Sequence, residues 1–308
     1  MPVLISIITP CLNRVETVTD AVQSVLAQEY PQFEHLVMDG GSTDGTLDLL
    51  SRYRHLDLVS EPDTGMYNAI NKGIRRAKGE IIGLLNSDDL YAGGCFRSVL
   101  GTFEQNPDAL AVVGGASVFR NEGNRRFDLE SVPAIEPNDI WYRVIQGQPV
   151  TNAWFFRREV FERWGGFDER YRWVADRYFL MRIVLDGGVR PVPIHRTLYH
   201  YRSHAGSVTL SDIDSRDPKY GLTRVKVLQE DVRALAEFLN RRNLPAEARK
   251  RIRREHGERC YRLAVTAGYH RQVRSAMQAV RAGFRQDPFW PFVFLQMAGR
   301  RLKREIAG

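Results

Sequence analysis

The sequence predicts an α/β fold: a parallel sheet with helices on both faces, followed by an α+β half and a helical C-terminal region. Over the first hundred residues, short apolar runs alternate with segments whose apolar residues have helical spacing. A strand pattern returns near residue 109, and beyond residue 218 only helical patterns remain. Alternation of strand and helix implies right-handed βαβ units, which produce a parallel sheet.

Four strands and three helices are predicted in the first hundred residues. The apolar runs that predict strands are Leu4–Thr9, Phe33–Met38, Leu56–Val59 and Ile81–Leu85. Helical spacing predicts helices after Asn13, after the potential N-caps Ser42 and Thr43, and over Met66–Ala77. Each helix therefore connects two successive strands.

The rest of the chain is predicted to be mixed and then helical. Strand patterns cover Ala109–Phe119 and Phe127–Val132, and helical patterns cover Asn138–Ile145, Arg158–Trp164 and Ala175–Leu185. Beyond Pro218, helix breaks are expected at Asn243-Leu244-Pro245, near Gly268 and at Asp287-Pro288. These patterns predict a domain over residues 1–215 and a basic helical region over residues 216–308.

Composition predicts a globular protein of the cytoplasm. Hydrophobic residues make up 43% of the chain, and no apolar stretch approaches the ~20 residues that span a bilayer. The first ten residues form a strand pattern without a basic segment, which argues against a secretory signal. Three widely separated cysteines argue against a disulfide framework or a zinc site.

Basic residues are concentrated at the C-terminal end, where residues 241–308 contain 17 Lys and Arg against 5 Asp and Glu. Residues 1–240 contain 27 against 32, and such asymmetry predicts an anionic partner. Basic clusters at 249–254 and 300–304 flank the aromatic segment 289–295. This combination favours an anionic membrane surface over nucleic acid as the partner. Alternatively, the aromatic residues pack the tail onto the rest of the protein and the arginines are solvated.

Two adjacent carboxylates follow the fourth predicted strand. Asp88 and Asp89 are expected at the C-terminal edge of the sheet, where ligands of open α/β sheets bind. A divalent cation with oxygen ligands would relieve the repulsion between them. The pair is therefore a candidate metal site, although an isolated Ser-Asp-Asp sequence is also typical of a polar turn that caps a helix.

The turns after the first two strands carry further candidates. In Thr9-Pro10-Cys11-Leu12-Asn13-Arg14, backbone amides at the start of the next helix can hold the base or phosphates of a nucleotide. Asp39, at the end of the second strand, can accept hydrogen bonds from a ribose hydroxyl or a base N–H. Both segments also fit simple turns, and no G-x-G-x-x-G follows the first strand, which argues against a dinucleotide-dependent oxidoreductase.

The segment Glu61–Gly73 is dense in polar residues. Asp63 can cap the helix that starts near Met66, and Gly65 allows close backbone approach. Asn68, Asn71 and Lys72 have helical spacing and lie on one polar face. That face can bind a ribose, a base edge or a diphosphate, or it can simply be solvated.

Taken in order, TPCLNR, VMDGGSTDGT, EPDTGMYNAINKG and LLNSDD resemble the motifs of the family-2 inverting glycosyltransferases. The resemblance continues through GGFDE and WVAD to Arg182 and covers roughly residues 3–210. It implies a GT-A-type fold, with a nucleotide-sugar-binding half at residues 1–105 and an acceptor-binding half at residues 106–215.

The resemblance implies roles for individual residues. Asp39 corresponds to the carboxylate that recognises the base, and Asp88 and Asp89 correspond to the motif that holds Mn²⁺ or Mg²⁺ on the donor diphosphate. His204 matches a position that can supply a further metal ligand; the alternative is a surface histidine. The nucleotide site is predicted to comprise Thr9, Pro10, Asn13, Arg14, Asp39, Asp63, Gly65, Asn68, Asn71, Lys72, Ser87 and Asp88.

The acceptor half is matched less closely. Asp176 corresponds to the general base for the acceptor hydroxyl, but Ala175 replaces the glutamate that precedes it in many relatives. Residues 148–157 lack a histidine that many relatives carry there. Gln148 and Trp154 are predicted to line the acceptor site instead.

Together these features predict a metal-dependent inverting glycosyltransferase that moves a sugar from a nucleoside-diphosphate sugar, with UDP favoured, to a hydroxyl of a glycan or lipid-linked acceptor. One alternative is a sugar nucleotidyltransferase, which would usually carry a Gly-rich basic loop after the first strand. Another is a non-catalytic sugar-nucleotide-binding or scaffold protein. The sequence leaves the oligomeric state open and is compatible with peripheral attachment to the inner face of the cell membrane.

Overall fold

The computed structural model describes residues 3–123, 125–147, 150–204, 218–287 and 290. It comprises two compact units, Met1–His204 and Ala205–Gly308. The predicted domain boundary between residues 215 and 216 falls within residues 205–217, outside the described residues.

The first unit begins with the predicted alternation of strands and helices. Its elements are β1 (Ile5–Cys11), α1 (Val18–Leu26), β2 (Phe33–Asp39), α2 (Thr46–Leu50), β3 (Leu56–Ser60), α3 (Met66–Arg76) and β4 (Ile81–Leu84). β1 pairs in parallel with β2 and β4, and β2 pairs in parallel with β3. The predicted elements are confirmed, although α2 begins after Gly45 and not at the expected caps Ser42 and Thr43.

The rest of the first unit completes a mixed sheet. Its elements are β5 (Leu90–Tyr91), α4 (Cys95–Gln105), β6 (Ala111–Glu122), β7 (Arg125–Val132), α5 (Ile140–Gln146), β8 (Trp154–Arg157), α6 (Arg158–Trp164), α7 (Ala175–Met181) and β9 (Val192–Arg202). β8 lies antiparallel between β4 and β6, and the strand order is β3-β2-β1-β4-β8-β6-β9-β5, with β7 paired to β6. α4, β5, β8 and β9 are not among the predicted elements.

Helices cover both faces of β1, because successive side chains of a strand point to opposite faces. Ile5 and Ile7 pack in one apolar cluster with Ala21 and Val25 of α1. On the other face, a Cβ atom at Gly73 of α3 would collide with Ile8, so this glycine allows α3 to lie close against the strand. Each fully buried aliphatic side chain contributes about 1.5–3 kcal/mol to stability. The apolar pattern that predicts these elements is therefore also what stabilises this layer.

The second unit is helical and has its own core. It contains α8 (Pro218–Leu239), α9 (Ala246–Tyr269) and α10 (Val273–Gln286), whose ends agree with the predicted breaks. Trp290 is buried in this core and donates its Nε1–H to the carbonyl of Gly257 at 2.9 Å. Trp290 is the one described residue of the aromatic segment 289–295, and it packs within the helical unit, not at a bilayer.

No helix in the described part of the chain combines the length and the apolar character needed to cross a membrane.

Candidate active site

The loops that follow β1 and β2 are fixed to each other at the C-terminal edge of the sheet. Cys11 pairs with Asp39, so the two loops start side by side. Asn13 has φ 52°, a left-handed conformation that asparagine tolerates. Its Oδ1 accepts a hydrogen bond from the Thr43 amide at 2.9 Å, and its own amide donates to Ser42 Oγ at 2.8 Å. The predicted turn residues are therefore held in one conformation by the second loop.

Asp39 is buried at the end of β2 and organises the loop that follows. Its Oδ2 accepts hydrogen bonds from the amides of Gly41 and Ser42, both at 2.9 Å, and from the Ser60 hydroxyl at 2.7 Å. Burial alone would raise the pKa of Asp39, but the bonds from Ser42, Ser60 and the two amides outweigh it, so the pKa is lowered. Asp39 is thus held as a carboxylate beneath a preorganised loop.

Asp63 lies against the same loop. A Cβ atom at Gly40 would come within 2.5 Å of Asp63 Oδ2, so the glycine lets the Asp63 carboxylate lie close against the loop. Asp63 Oδ1 accepts a hydrogen bond from the Gly65 amide at 2.8 Å, and Gly65 has φ 139°. The structure thus brings the predicted residues Asp39, Asp63 and Gly65 to one place.

Asn68 and Asn71 of α3 bind another part of the protein. Asn71 is buried, and its side chain both donates to the carbonyl and accepts from the amide of Phe167, each at 2.8 Å. The Nδ2 groups of Asn68 and Asn71 also donate to Glu169 at 2.8 Å. Both side chains therefore fasten α3 to the 165–169 segment, and their contacts with a nucleotide stay a prediction.

Lys72 has a comparable local role. Its Nζ donates to the carbonyl of Pro62 at 3.0 Å and forms an ion pair with Glu61 at 2.8 Å. Lys72 therefore holds the segment before α3, and its contact with a diphosphate stays a prediction.

Asp88 and His204 face each other at the sheet edge. Asp88 Oδ2 lies 3.0 Å from His204 Nε2 and 3.7 Å from Arg14 Nε. The two side chains are 18% and 34% exposed, so a ligand can reach both. Burial raises the pKa of Asp88, but the hydrogen bond from His204 and the charge of Arg14 have the larger combined effect and lower it. The result is an ionised carboxylate beside an imidazole nitrogen.

Asp89 is buried, and both of its oxygens are engaged by the protein. Oδ2 accepts hydrogen bonds from the Tyr199 hydroxyl at 2.7 Å and from Asn86 Nδ2 at 3.0 Å, and Oδ1 accepts from the Arg202 amide at 2.7 Å. Burial and the neighbouring charge of Asp88 raise the pKa of Asp89 to about 7. Asp89 thus anchors the 86–89 loop to β9, and its role as a metal ligand stays a prediction.

Asp176 lies in the first turn of α7 and is linked to this loop. Its Oδ2 accepts a hydrogen bond from Thr151 Oγ1 at 3.4 Å. Asn152, which follows Thr151 in the sequence, donates its Nδ2–H to the Tyr199 hydroxyl at 2.7 Å. The Tyr199 hydroxyl in turn donates a hydrogen bond to Asp89. A single turn of 3₁₀ helix therefore connects the candidate base to the loop that carries Asp88.

Three residues predicted at the nucleotide site are enclosed by the protein. Thr9 is buried, and its hydroxyl lies 2.9 Å from His35 Nε2 within the sheet. Pro10 and Ser87 are also buried, and the Ser87 carbonyl accepts a hydrogen bond from the Thr17 hydroxyl at 3.0 Å. These three residues shape the backbone of the edge, and their place in the nucleotide site stays a prediction.

The two predicted acceptor-site residues have different outcomes. Trp154 is fully buried and stacks on Phe156 with ring centroids 5.7 Å apart, so it packs in the core, and its place in the acceptor site stays a prediction. Gln148 lies outside the described residues.

Sequence reasoning missed several residues that organise the site. Arg202 donates its Nε–H to the Asp88 carbonyl and an Nη2–H to Asp20, both at 2.7 Å. The aromatic and basic cluster Tyr199–His204 carries a sequence signal for Tyr199 and Arg202, whereas Asn152 carries none. Within the described residues, no three His, Cys, Asp or Glu side chains form a common metal-binding group.

Comparison with known sequences identifies the family. The sequence model described as "Glycosyl transferase family 2" matches residues 6–165, just over half of the chain. TuaG of Bacillus subtilis, a protein named as a glycosyltransferase of teichuronic acid biosynthesis, is 40% identical over 93 residues. That match covers 29% of this chain and 37% of TuaG, so this chain spans little more than a third of that relative.

Comparison with solved structures identifies the fold. Residues 1–349 of S. aureus TarS, in complex with UDP-GlcNAc, align with a TM-score of 0.54 and 17% identity over 94% of this chain and 91% of that one. The mannosyltransferase PcManGT from Pyrobaculum calidifontis, in complex with GDP-Man and Mn²⁺, aligns with a TM-score of 0.60 and 18% identity over 97% and 85%. The predicted GT-A-type fold is confirmed, and the family match shows that this chain belongs to glycosyl transferase family 2.

Proposed function

We propose that this glycosyltransferase is metal-dependent and inverting, and that it transfers a sugar from a nucleoside-diphosphate sugar to a hydroxyl of a glycan or lipid-linked acceptor. The observation that carries the proposal is the 3.0 Å contact between Asp88 and His204 at the edge where Asp39 also lies. Ligands of open α/β sheets bind at this edge. The hydrogen-bonded link to Asp176 supports one active site that contains both the metal ligands and the base.

A divalent cation fits the donor atoms of Asp88 and His204. Carboxylate oxygen suits both Mg²⁺ and Mn²⁺, but an imidazole ligand favours the transition metal because Mg²⁺ strongly prefers oxygen. When bound, the cation would neutralise charge that accumulates on the departing nucleoside diphosphate. Arg14, 41% exposed and 3.7 Å from Asp88, adds a positive group that can contact the same diphosphate. The Mn²⁺ complex of PcManGT supports this assignment.

The preorganised loop after β2 supports nucleotide binding at this edge. The buried Asp39 carboxylate fixes the amides of Gly41 and Ser42, and Asp63 lies against the same loop. UDP is the favoured nucleotide because it is the commonest donor nucleotide in the family. TarS bound to UDP-GlcNAc supports UDP, whereas PcManGT bound to GDP-Man makes GDP the competitor to test.

Asp176 is proposed to act as general base. The acceptor hydroxyl forms a new bond to the anomeric carbon while its proton moves to an Asp176 oxygen and the bond to the diphosphate oxygen breaks. A single displacement from the face opposite the leaving group inverts the anomeric carbon. Thr151 bonds Asp176 Oδ2 and so helps to orient the carboxylate.

The donor and the metal are tested together. Release of nucleoside diphosphate is measured from UDP-, GDP- and dTDP-sugars, each with Mn²⁺, with Mg²⁺ and with EDTA. We expect the fastest release from a UDP-sugar with Mn²⁺ and loss of release in EDTA. Faster release from another nucleotide would overturn the UDP preference alone, whereas release that is insensitive to EDTA would overturn the metal assignment.

Replacing Asp39 by alanine is expected to weaken binding of the donor and of free UDP together. The loop loses a charged acceptor, and hydrogen bonds to charged groups contribute about 1.5–3 kcal/mol, which corresponds to about 10–100-fold in affinity. Calorimetric titration with UDP measures the effect. Asp57→Ala is the matched control, since Asp57 lies on β3 in an exposed ion pair with Arg76. Equal UDP affinity in parent and Asp39→Ala would contradict the assignment.

We further propose that transfer takes place in the cytoplasm, at the inner face of the membrane where a lipid-linked acceptor is presented. Cys11, Cys95 and Cys260 are buried free thiols, which agrees with a reducing compartment. The basic character of residues 241–308 supports attraction to anionic lipid.

A further inference from the structure

Helix α10 carries an exposed row of apolar side chains. Val273, Met277 and Phe284 are 63%, 51% and 50% exposed, and their spacing of four and seven residues places them on one helix face. Tyr269, at the end of α9, is 60% exposed. We call these four residues the exposed stripe. Large apolar side chains grouped in this way on a surface mark an interaction site.

A row of arginines borders the stripe. The row consists of Arg274, Arg281 and Arg285. Their spacing of seven and then four residues places them on one helix face, which adjoins the face of the exposed stripe. Residues 269–286 contain four arginines and no Asp or Glu. No carboxylate in the described part of the chain forms an ion pair with Arg274, Arg281 or Arg285. This face therefore has an uncompensated positive charge.

The basic cluster at residues 249–254 differs in this respect. Arg251 pairs with Glu247 at 2.9 Å and Arg254 with Glu258 at 3.2 Å. Arg249 donates to the carbonyl of Leu239 at 2.5 Å and so holds the end of α8. These three arginines thus already have partners within the helical unit. Helix α10 is therefore the better candidate for binding an anionic partner.

An apolar groove adjoins the exposed stripe. It has a volume of about 470 Å³ and lies between α9 and α10, with Val265, Gly268 and Tyr269 on one side and Ala276, Met277 and Val280 on the other. Tyr269 and Met277 belong to both the stripe and the groove. The apolar lining of this groove can accept part of an acyl chain.

We propose that the exposed stripe and the adjoining groove bind an anionic lipid surface. The stripe lies at the boundary between headgroups and acyl chains, and Arg274, Arg281 and Arg285 contact lipid phosphates. Nucleic acid would match the arginines but would leave Val273 and Met277 without an apolar partner. A second copy of the chain bound through the same face would bring two rows of arginines together. Of these three partners, a lipid surface alone satisfies both features.

Vesicle binding by the full chain, without donor sugar, tests this surface independently of transferase activity. Phosphatidylcholine vesicles are compared with and without phosphatidylglycerol. Arg274→Gln/Arg281→Gln/Arg285→Gln is expected to weaken binding about 100-fold, since each arginine near an anionic surface contributes about 1 kcal/mol. Met277→Gln/Phe284→Gln is expected to reduce binding tenfold or more, because each buried CH₂ contributes about 0.8 kcal/mol. Point variants are preferable to deleting residues 286–308, since the deletion removes the core residue Trp290.

Leu222→Gln and Arg251→Gln are the matched controls, because they remove an exposed apolar side chain and a paired arginine from the same helical unit. Both are expected to bind like the parent, and thermal unfolding verifies that all variants are folded. Equal binding by the parent and both α10 variants would overturn the proposal, as would parent binding that ignores phosphatidylglycerol or salt. A parent dimer that dissociates on Met277→Gln/Phe284→Gln would assign the surface to a second copy instead.

Discussion

Replacing Asp88 by asparagine is expected to reduce Mn²⁺-stimulated transfer by about 10³-fold, since a metal ion supplies several kcal/mol of charge stabilisation at a leaving group. The change removes a negative ligand and keeps the shape of the side chain. Asp88 is the accessible carboxylate of the pair, and His204 Nε2 lies 3.0 Å from it. Initial rates are measured against Mn²⁺ concentration, and we expect the melting temperature to stay close to that of the parent.

Asp89→Asn is the informative comparison, because the two carboxylates are adjacent and only their surroundings differ. An amide at this position cannot accept from Tyr199, Asn86 and the Arg202 amide as a carboxylate does, so we expect stability to fall by about 1–3 kcal/mol. His204→Gln should instead weaken the response to Mn²⁺ without a comparable loss of stability. Parent-like Mn²⁺ stimulation in Asp88→Asn would place the metal site elsewhere.

The choice between Asp88 and Asp89 illustrates what the sequence does not determine. The apolar run Ile81–Leu85 locates both carboxylates at the sheet edge, and the structure confirms that position for β4. Which carboxylate remains accessible depends on Tyr199 and Arg202, more than a hundred residues further along the chain. Pairing of that kind follows from the tertiary fold and not from the local pattern.

The polar face of α3 is a second case in which the local pattern does not determine the tertiary partners. Helical spacing correctly places Asn68 and Asn71 on one face, because this depends only on local geometry. Their partners, Phe167 and Glu169, lie about a hundred residues away in sequence. Residues that resemble a nucleotide site in sequence therefore hold the two halves of the first unit together.

The predicted fold is most accurate where periodicity is strong. β1 and β2 are largely buried apolar runs of seven residues each, whereas β8 is a four-residue strand and β5 has two residues. Segments so short carry little periodic signal, and pairing with neighbouring strands determines them. α4 is different: its buried residues Cys95, Phe96, Val99, Leu100 and Phe103 have clear helical spacing, so a signal was present in the sequence.

Replacing Asp176 by asparagine is expected to lower the turnover number by ~10²-fold or more, the usual contribution of a general base. Asparagine keeps the size of the side chain and an oxygen that can accept the bond from Thr151, but it cannot take up the proton of the acceptor hydroxyl. Donor binding should survive, because the groups proposed to bind nucleotide and metal, Asp39, Asp88 and His204, are unchanged. Calorimetry with UDP and steady-state kinetics against acceptor concentration separate the two effects.

Two comparisons distinguish a base from a merely structural residue at position 176. Thr151→Val removes the hydroxyl that orients the carboxylate, and we expect a smaller loss of turnover than in Asp176→Asn with donor affinity again unchanged. Asp168→Asn is the matched carboxylate control, since Asp168 is held by Arg170 at 2.7 Å and its pKa is lowered, first of all by that bond. It should retain most of the parent's turnover. Parent-like turnover in Asp176→Asn combined with a large loss in Asp168→Asn would transfer the role of base to Asp168, because a group whose removal leaves the rate intact cannot be accepting the proton.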